Sequence, residues 1–494
     1  MNAKKFVCLL LAALMVTMAF ASCADTGDGT ESGTEQGTTA EAATKDAAGE
    51  ALDRIGDVDW GNDDFTIVYT NDVAGYAEEI YSEGYDTAGK TASAVINDAV
   101  YDRNNMFADR CNLNLVLVGK PASGVQTDIN NEVKTGSGDL QMSTLHISTT
   151  ASMATSGVFY NYMNFEDVDF EAEWWDLGTL EFALDGKVFF MNGAWNIMDD
   201  EVTFVMMFNK KMLNEYQLPS PYEKVKSLEW TFDYFLSNVK GLASDFNGDG
   251  KMNGDDKYGF CGPGTVGDTF FYGAGLQYVI NNREMEVPEL ALTDSQVDKA
   301  VGLLDKVREL TLGGDAYIAP QGSEAVASDC FKSDRSLFYI EAASYLRALN
   351  REMDGDYGVV PIPKYDTNQD QYRTWTHGIG STISIPSSIS KPDVMGGIIE
   401  TFCILSHQKL TPAYHDNMLT KRNVRDAESS EMLTMIMRTR VYDMAIYFSE
   451  LGMSGMFANA ALTSGGSFAS SYAKVQKTFD RKIGNIMKQL QRQK

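Results

Sequence analysis

Apolar positions along this chain fall into short continuous runs separated by longer stretches at helical spacing. The run FTIVY (65–69) reads as a strand. After it, Val95, Ala99, Val100, Phe107 and Cys111 recur near the helical period, with Thr91 placed to cap that helix. Residues 113–118 are almost wholly apolar, as expected of a strand covered on both faces of a parallel sheet. The order then repeats, with an amphipathic stretch at 127–134, an apolar run at 140–147 and a Ser/Thr/Ala-rich segment. A further run at 202–208 ends in Asn209, Lys210 and Lys211. Alternating strand and helix without a fixed-period repeat predicts an α/β fold. Stretches 394–407 and 411–448 are helical in pattern, and Pro412 suits a first helical turn.

The densest local signal is FKSDRSLFYIEAASYLRALNREMDGDYGVVPIPKY, residues 331–365. It predicts a strand over 337–340, a small-residue turn at Ala342, Ala343 and Ser344, and a short helix. An acidic turn at 354–356 and a second strand at 357–362 follow. Pro361 and Pro363 stop that strand, because proline cannot donate to a central ladder. The chain must change direction there.

Composition narrows the class. The 494 residues are 44% hydrophobic and 22% charged, and exceed what one core usually supports, so two lobes are expected. A formal net charge of −28 argues against nucleic acid as a partner, since phosphate binding needs clustered Lys and Arg. Lys4 and Lys5 followed by the apolar run 7–20 form a secretory signal, too short for a stable span. Its ending, Ala21-Ser22-Cys23, resembles a bacterial lipobox, which implies a signal peptide over 1–23 and lipidation of Cys23. Phe20 stands where that pattern prefers leucine, which leaves plain cleavage near Ala21 open. Residues 24–56 are rich in Gly, Thr, Glu and Ala with few large apolar groups, and predict a disordered acidic tether.

The 331–365 stretch resembles the extracellular solute-binding proteins of ABC importers, in particular the family 1, maltose-binding-protein-like carbohydrate branch. Four more segments carry the likeness in order: AVYDRNNMFADRCNLNL (99–115), FMNGAWNIMDDEVTFVMMFNKKML (190–213), PYE with LEWT (221–231), and PAYHDNMLTKRNVRDAESSEML (412–433). The resemblance implies a two-lobed periplasmic-binding-protein-like fold of type II with the ligand cleft between lobes. It places lobe one at 57–203 plus 342–391 and lobe two at 204–341 plus 392–494, with the 331–365 stretch carrying the chain back into lobe one. It further implies a monomeric, non-enzymatic receptor for a carbohydrate, an oligosaccharide in this reading. That receptor would be lipid-anchored on the extracellular face of the bacterial cytoplasmic membrane and would deliver its ligand to the transmembrane subunits of an ABC permease.

The sharpest chemical motif is DFNGDGKMNGDD, residues 245–256. Asp245, Asn247, Asp249, Asn253 and Asp256 occupy loop positions one, three, five, nine and twelve of an EF-hand, with Gly250 at six and Lys251 at seven, where only the carbonyl is used. Asp256 replaces the usual glutamate and reaches less far. With no second loop to pair, the motif predicts a structural calcium ion. Gly262, Gly264 and Gly267 satisfy GxGxxG, but Pro263 and the lack of a following acidic strand end argue against a dinucleotide. No organic cofactor is expected, and the glycine loop is read as presenting a helix start to the cleft.

Catalytic arrangements are sparse. The four histidines lie outside any HExxH, and neither GxSxG nor CxxC occurs. The contexts of Cys111, Cys261, Cys330 and Cys403 favour buried thiols. Asp199, Asp200 and Glu201 form the best carboxylate cluster for a glycoside hydrolase. Sugar clefts combine aromatic platforms with carboxylates and amides. The candidate ligand residues are therefore Trp195 with Asn196 and Asp199, Trp375 beside His377, Asp268 with Phe271 and Tyr272, Glu341 and Tyr345, and Asn71 with Asp72 at the end of the first strand. Trp174 and Trp175 are assigned to the core. The alternatives are a secreted glycoside hydrolase, or the same fold binding a peptide or polyamine.

Overall fold

In the computed structural model, which describes residues 47–72, 76–82, 94–419 and 425–491, two sheets organise the chain. The first has the order Ser381–Ser384, Met142–His146, Asp64–Thr70, Asn114–Lys120. Asp64–Thr70 runs parallel to both neighbours, and Ser381–Ser384 joins the edge antiparallel. The second has the order Tyr357–Val360, Phe204–Asn209, Ser336–Ala342, Tyr258–Pro263, Ala316–Ala319. There Phe204–Asn209 is antiparallel to both of its neighbours, and the remaining pairs are parallel. The apolar run at 202–208 is thus a central strand whose six residues, Phe204–Asn209, are all buried, which is why it carries no alternation.

The sheets belong to two lobes, and the chain passes between them through three segments that bond to one another. His377 donates its amide to the Val202 carbonyl at 3.1 Å, Thr203 pairs with Thr376, and Ala343 N–H reaches the Thr203 carbonyl at 2.9 Å. The Thr374 hydroxyl adds a bond to the Phe204 carbonyl at 2.7 Å.

The expected lobe boundaries need two corrections. The strand Tyr357–Val360 pairs with Phe204–Asn209, so 342–375 stays with the second sheet and the return crossing lies near 374–381. The prolines after Tyr357–Val360 end an edge strand and do not mark a change of lobe. The helix Pro392–Leu419 belongs with the first lobe, where it packs on Ala94–Arg110 and Ala47–Ile55. Phe107 meets Phe402 edge-on at 5.0 Å, and the Arg103 guanidinium lies over Phe402 at 4.4 Å. Pro412 sits inside that helix and does not begin a new one.

The expected tether is shorter than 24–56. Ala47–Ile55 is a helix that buries Ala48, Ala51 and Leu52 against the first lobe, because these three fall on one helical face. The signal sequence, Cys23, the first part of the tether and Thr91 lie outside the described residues. Trp174 and Trp175 are buried in the first-lobe core, as expected. Cys111, Cys261, Cys330 and Cys403 are buried free thiols. Among the described residues no helix is long and apolar enough to cross a membrane.

Candidate functional site

A cavity of about 1080 Å³ opens where the crossing segments meet. Met198, Val202, His377 and Ile379 border it from the crossings, and Phe204, Glu341 and Tyr345 from the second sheet and the helix that follows. The loop Pro263 to Thr265, the start of the helix Val266–Gly273 and the helix Met456–Leu462 close another side. Its size lies at the upper end of small-molecule pockets, enough for more than a single sugar ring.

Three carboxylates face this space: Asp268, Glu324 and Glu341. Asp268 is 3% exposed and accepts the Ala458 amide at 3.1 Å, holding the start of Met456–Leu462. Burial pushes its carboxyl up to about 7. Glu341 is 6% exposed; it accepts the Ala342 amide at 2.9 Å and the Tyr339 hydroxyl at 3.4 Å. Burial, helped by the charge of Glu324, pushes Glu341 up to about 7 as well. His377 Nδ1 accepts the Ile379 amide at 3.2 Å, and burial lowers its pKa, so the ring is neutral near pH 7. Among the described residues no Lys or Arg lines the cavity.

Of the residues nominated from sequence, Asp268, Glu341, Tyr345 and His377 come together here. The others do not. Trp195 is fully buried in the first-lobe core, so its face is covered by protein on all sides. Trp375 is 3% exposed; it stacks on Phe204 at 5.1 Å and on Tyr272 at 5.9 Å, and its indole donates to Thr269 Oγ1 at 3.1 Å. It supports Phe204, which takes the cavity wall. Phe271 stacks on Tyr278 at 4.4 Å, and the Tyr272 hydroxyl donates to Asp443 at 3.1 Å, both inside the core. Asn196 holds the first lobe together, donating to the Ser381 carbonyl at 2.6 Å and accepting the Met198 amide at 2.8 Å. Asn71 and Asp72 are exposed at the end of the first strand, where Asp72 lies 3.5 Å from His146 Nε2.

The carboxylate cluster after Trp195 is committed to ion pairs. Arg440 contacts Asp176 at 3.2 Å, Asp199 at 3.3 Å, and Asp200. Arg347 contacts Glu201 at 2.6 Å and Glu78 at 3.1 Å. Tyr442 and Tyr414 add hydroxyl donors to Asp199 and Glu201. With their lone pairs engaged by guanidinium groups, Asp199 and Glu201 are not placed to act on a glycosidic bond in the cavity.

The glycine loop has a packing explanation. A Cβ on Gly267 would stand 2.5 Å from Ala458 Cα, so glycine lets Val266–Gly273 press against Met456–Leu462. Phe204, Glu324 and Asn459 also line the cavity and were missed. They lie in three distant segments with no shared motif, so only the tertiary fold brings them together.

The loop 245–256 is tightly wound on its own backbone. Asp245 accepts the Gly248 and Gly250 amides at 2.6 and 2.8 Å, Asn247 that of Asp249 at 2.9 Å, and Asp249 that of Lys251 at 2.8 Å. Asn253 accepts the Asp255 amide, and Asp256 those of Phe246 and Asn253. Gly250 has φ 77°, the left-handed turn expected at position six. Among the described residues no three His, Cys, Asp or Glu side chains are grouped closely enough to hold a metal ion.

No protein-family model matches the chain, and no curated protein matches it. Solved structures do. The galacto-N-biose-/lacto-N-biose I-binding protein of an ABC transporter from Bifidobacterium longum is 14% identical with a TM-score of 0.53, covering 87% of this chain and 98% of that one. An ABC substrate-binding protein from Listeria monocytogenes, solved with cycloalternan, is 12% identical with a TM-score of 0.52, covering 85% and 99%. The GacH receptor of Streptomyces glaucescens, solved with acarbose, is 12% identical with a TM-score of 0.51, again covering 85% and 99%. The likeness establishes the two-lobed fold that these proteins share.

Proposed function

We propose that this chain is the solute receptor of an ABC importer, a non-enzymatic protein that closes its two lobes around a carbohydrate and passes it to a membrane permease. The observation that carries the reading is the cavity of about 1080 Å³ at the lobe crossings, lined by Glu341, Tyr345, His377, Gln321 and Asn459. Carboxylates, amides and one open aromatic ring are groups that hold sugar hydroxyls and C–H faces. Each of the three similar structures is a receptor or binding protein solved with, or named for, a sugar or sugar-like ligand, which supports the same class here. Cys23 would carry the lipid that keeps the receptor at the extracellular face of the membrane.

A thermal-shift screen over neutral and substituted oligosaccharides tests the reading, because a ligand that binds only the folded state raises the melting temperature by mass action. X-ray scattering on a hit should show a smaller radius of gyration as the lobes close. Release of sugar products during the titration would move the assignment to a glycoside hydrolase. The anchor has its own test: Cys23→Ser should release the protein from membranes, since one thiol accepts the lipid.

A further inference from the structure

The charge of the cavity narrows the ligand class. Among the described residues its lining includes Asp268, Glu324 and Glu341, no lysine, no arginine, and a histidine held neutral by burial. In the cluster after Trp195 the buried carboxylates are matched: Asp199 and Asp200 by Arg440, Glu201 by Arg347. Those in the cavity have no such partner, for none of the three forms an ion pair with another described residue.

The fold itself accounts for Asp268, which holds the first turn of Met456–Leu462 through the Ala458 amide. Glu341 has no comparable structural duty. Its acceptors serve a neighbouring amide and a long bond from Tyr339, leaving lone pairs of the carboxylate uncommitted. Glu324, at the start of the helix Glu324–Lys332, is near enough for its charge to act on both Glu341 and Tyr345. Two carboxylates and a phenol ring therefore share one corner of a large cavity. A buried carboxylate without a counter-charge is costly, and a ligand that supplies the charge removes the cost.

We propose that the ligand carries a protonated amino group seated between Glu324 and Glu341 beside the Tyr345 ring, which makes it an amino sugar or an oligosaccharide of amino sugars. The proposal rests on the carbohydrate reading above and adds the chemistry that selects among sugars. An ammonium offers three donors to the two carboxylates, and the ring face of Tyr345 favours a cation close to it. The remaining hydroxyls fall to neutral partners such as Gln321, Asn459 and Thr311. An anionic sugar is excluded by the same three carboxylates.

The test is calorimetric titration of the full chain at pH 7 with matched probes: glucosamine oligomers, their N-acetylated counterparts, maltooligosaccharides and spermidine. The glucosamine oligomers should bind at least about tenfold more tightly than the N-acetylated ones, the scale of one hydrogen bond to a charged group. Glu341→Gln should remove that preference with no fall in melting temperature. Glu324→Gln, at a less buried position, provides the same readout should Glu341→Gln not fold. Equal affinity for amino and N-acetyl forms would overturn the amine seat and leave the carbohydrate reading standing. Binding of spermidine and of no sugar would overturn the carbohydrate reading and keep the seat. Binding of none of the four would overturn both.

Discussion

Trp195 and Tyr345 show how far a side chain's role depends on what the fold lays over it. Both follow small residues, and Trp195 has polar neighbours in sequence that suggest a cleft. The first-lobe core covers the tryptophan, whereas the tyrosine is partly exposed at the cavity. No local pattern separates them, because the covering atoms come from segments remote in sequence, such as Pro392–Leu419. Trp195→Ala should cost roughly 3–5 kcal/mol of folding stability, as core truncations do, with ligand affinity of the folded fraction unchanged. Tyr345→Ala should do the reverse, losing about 1–2 kcal/mol of affinity with little change in melting temperature. Melting and titration on the same samples decide it: a stable Trp195→Ala with weakened binding would return that residue to the site. Glu341 and Asp268 were legible because each stands at a strand end or a helix start after an apolar run, where open sheets place ligands.

At the scale of elements, strands were more legible than the assignment of elements to lobes. Apolar runs at 65–69, 113–118, 140–147, 202–208 and 337–340 all fall on or overlap observed strands. Such runs reflect burial on both faces, which does not depend on which sheet receives them. Tyr357–Val360 reads the same in either lobe, so its hydrogen-bond partner, Phe204–Asn209, could not be inferred locally. The contact between Val266–Gly273 and Met456–Leu462 was likewise hidden, although it fixes one wall of the cavity. Gly267→Val would force side-chain atoms into the Ala458 backbone, and a loss of about 1–3 kcal/mol is expected, with weaker ligand binding as the wall shifts. Chemical denaturation measures the first effect; unchanged stability would mean the helices part without cost. The loop 245–256 makes a separate prediction, as a proposed calcium site in the second lobe. Chelation should lower the melting temperature, and Asp245→Ala with Asp249→Ala should abolish that sensitivity. If chelator leaves the unmodified protein unchanged at neutral pH, the loop stands on its backbone hydrogen bonds alone.

For the whole molecule, the concentration of buried carboxylates sets the dependence of stability on pH. Burial raises Glu79 to about 8, Glu181, Asp268 and Glu341 to about 7, and Asp443 to about 6. A carboxyl whose folded pKa is raised keeps a proton that the unfolded chain has already released. Its contribution is fully present below the unfolded value, 4.5 for Glu and 3.8 for Asp, and is lost as pH rises through the folded value. His146 and His377 are lowered by burial and act with the opposite sign, gaining stability as pH rises towards 6.5. These carboxyls, with Asp199, Glu201 and Glu400 raised by burial in the same direction, outweigh the two histidines, and self-repulsion of a chain with net charge −28 adds to them. The melting temperature at constant ionic strength should therefore fall from pH 5 to pH 8. A rise over that interval would show that these carboxyls are ionised and compensated in the folded protein. Glu341→Gln should flatten the curve by removing one titrating group, and most visibly between pH 5 and 7, where Glu341 takes its share. A saturating amine-bearing sugar should flatten it in the same window, because an ammonium beside Glu341 supplies the charge the fold leaves out. A neutral oligosaccharide should raise the whole curve without changing its slope, so the two ligand classes are distinguished by shape as well as by height.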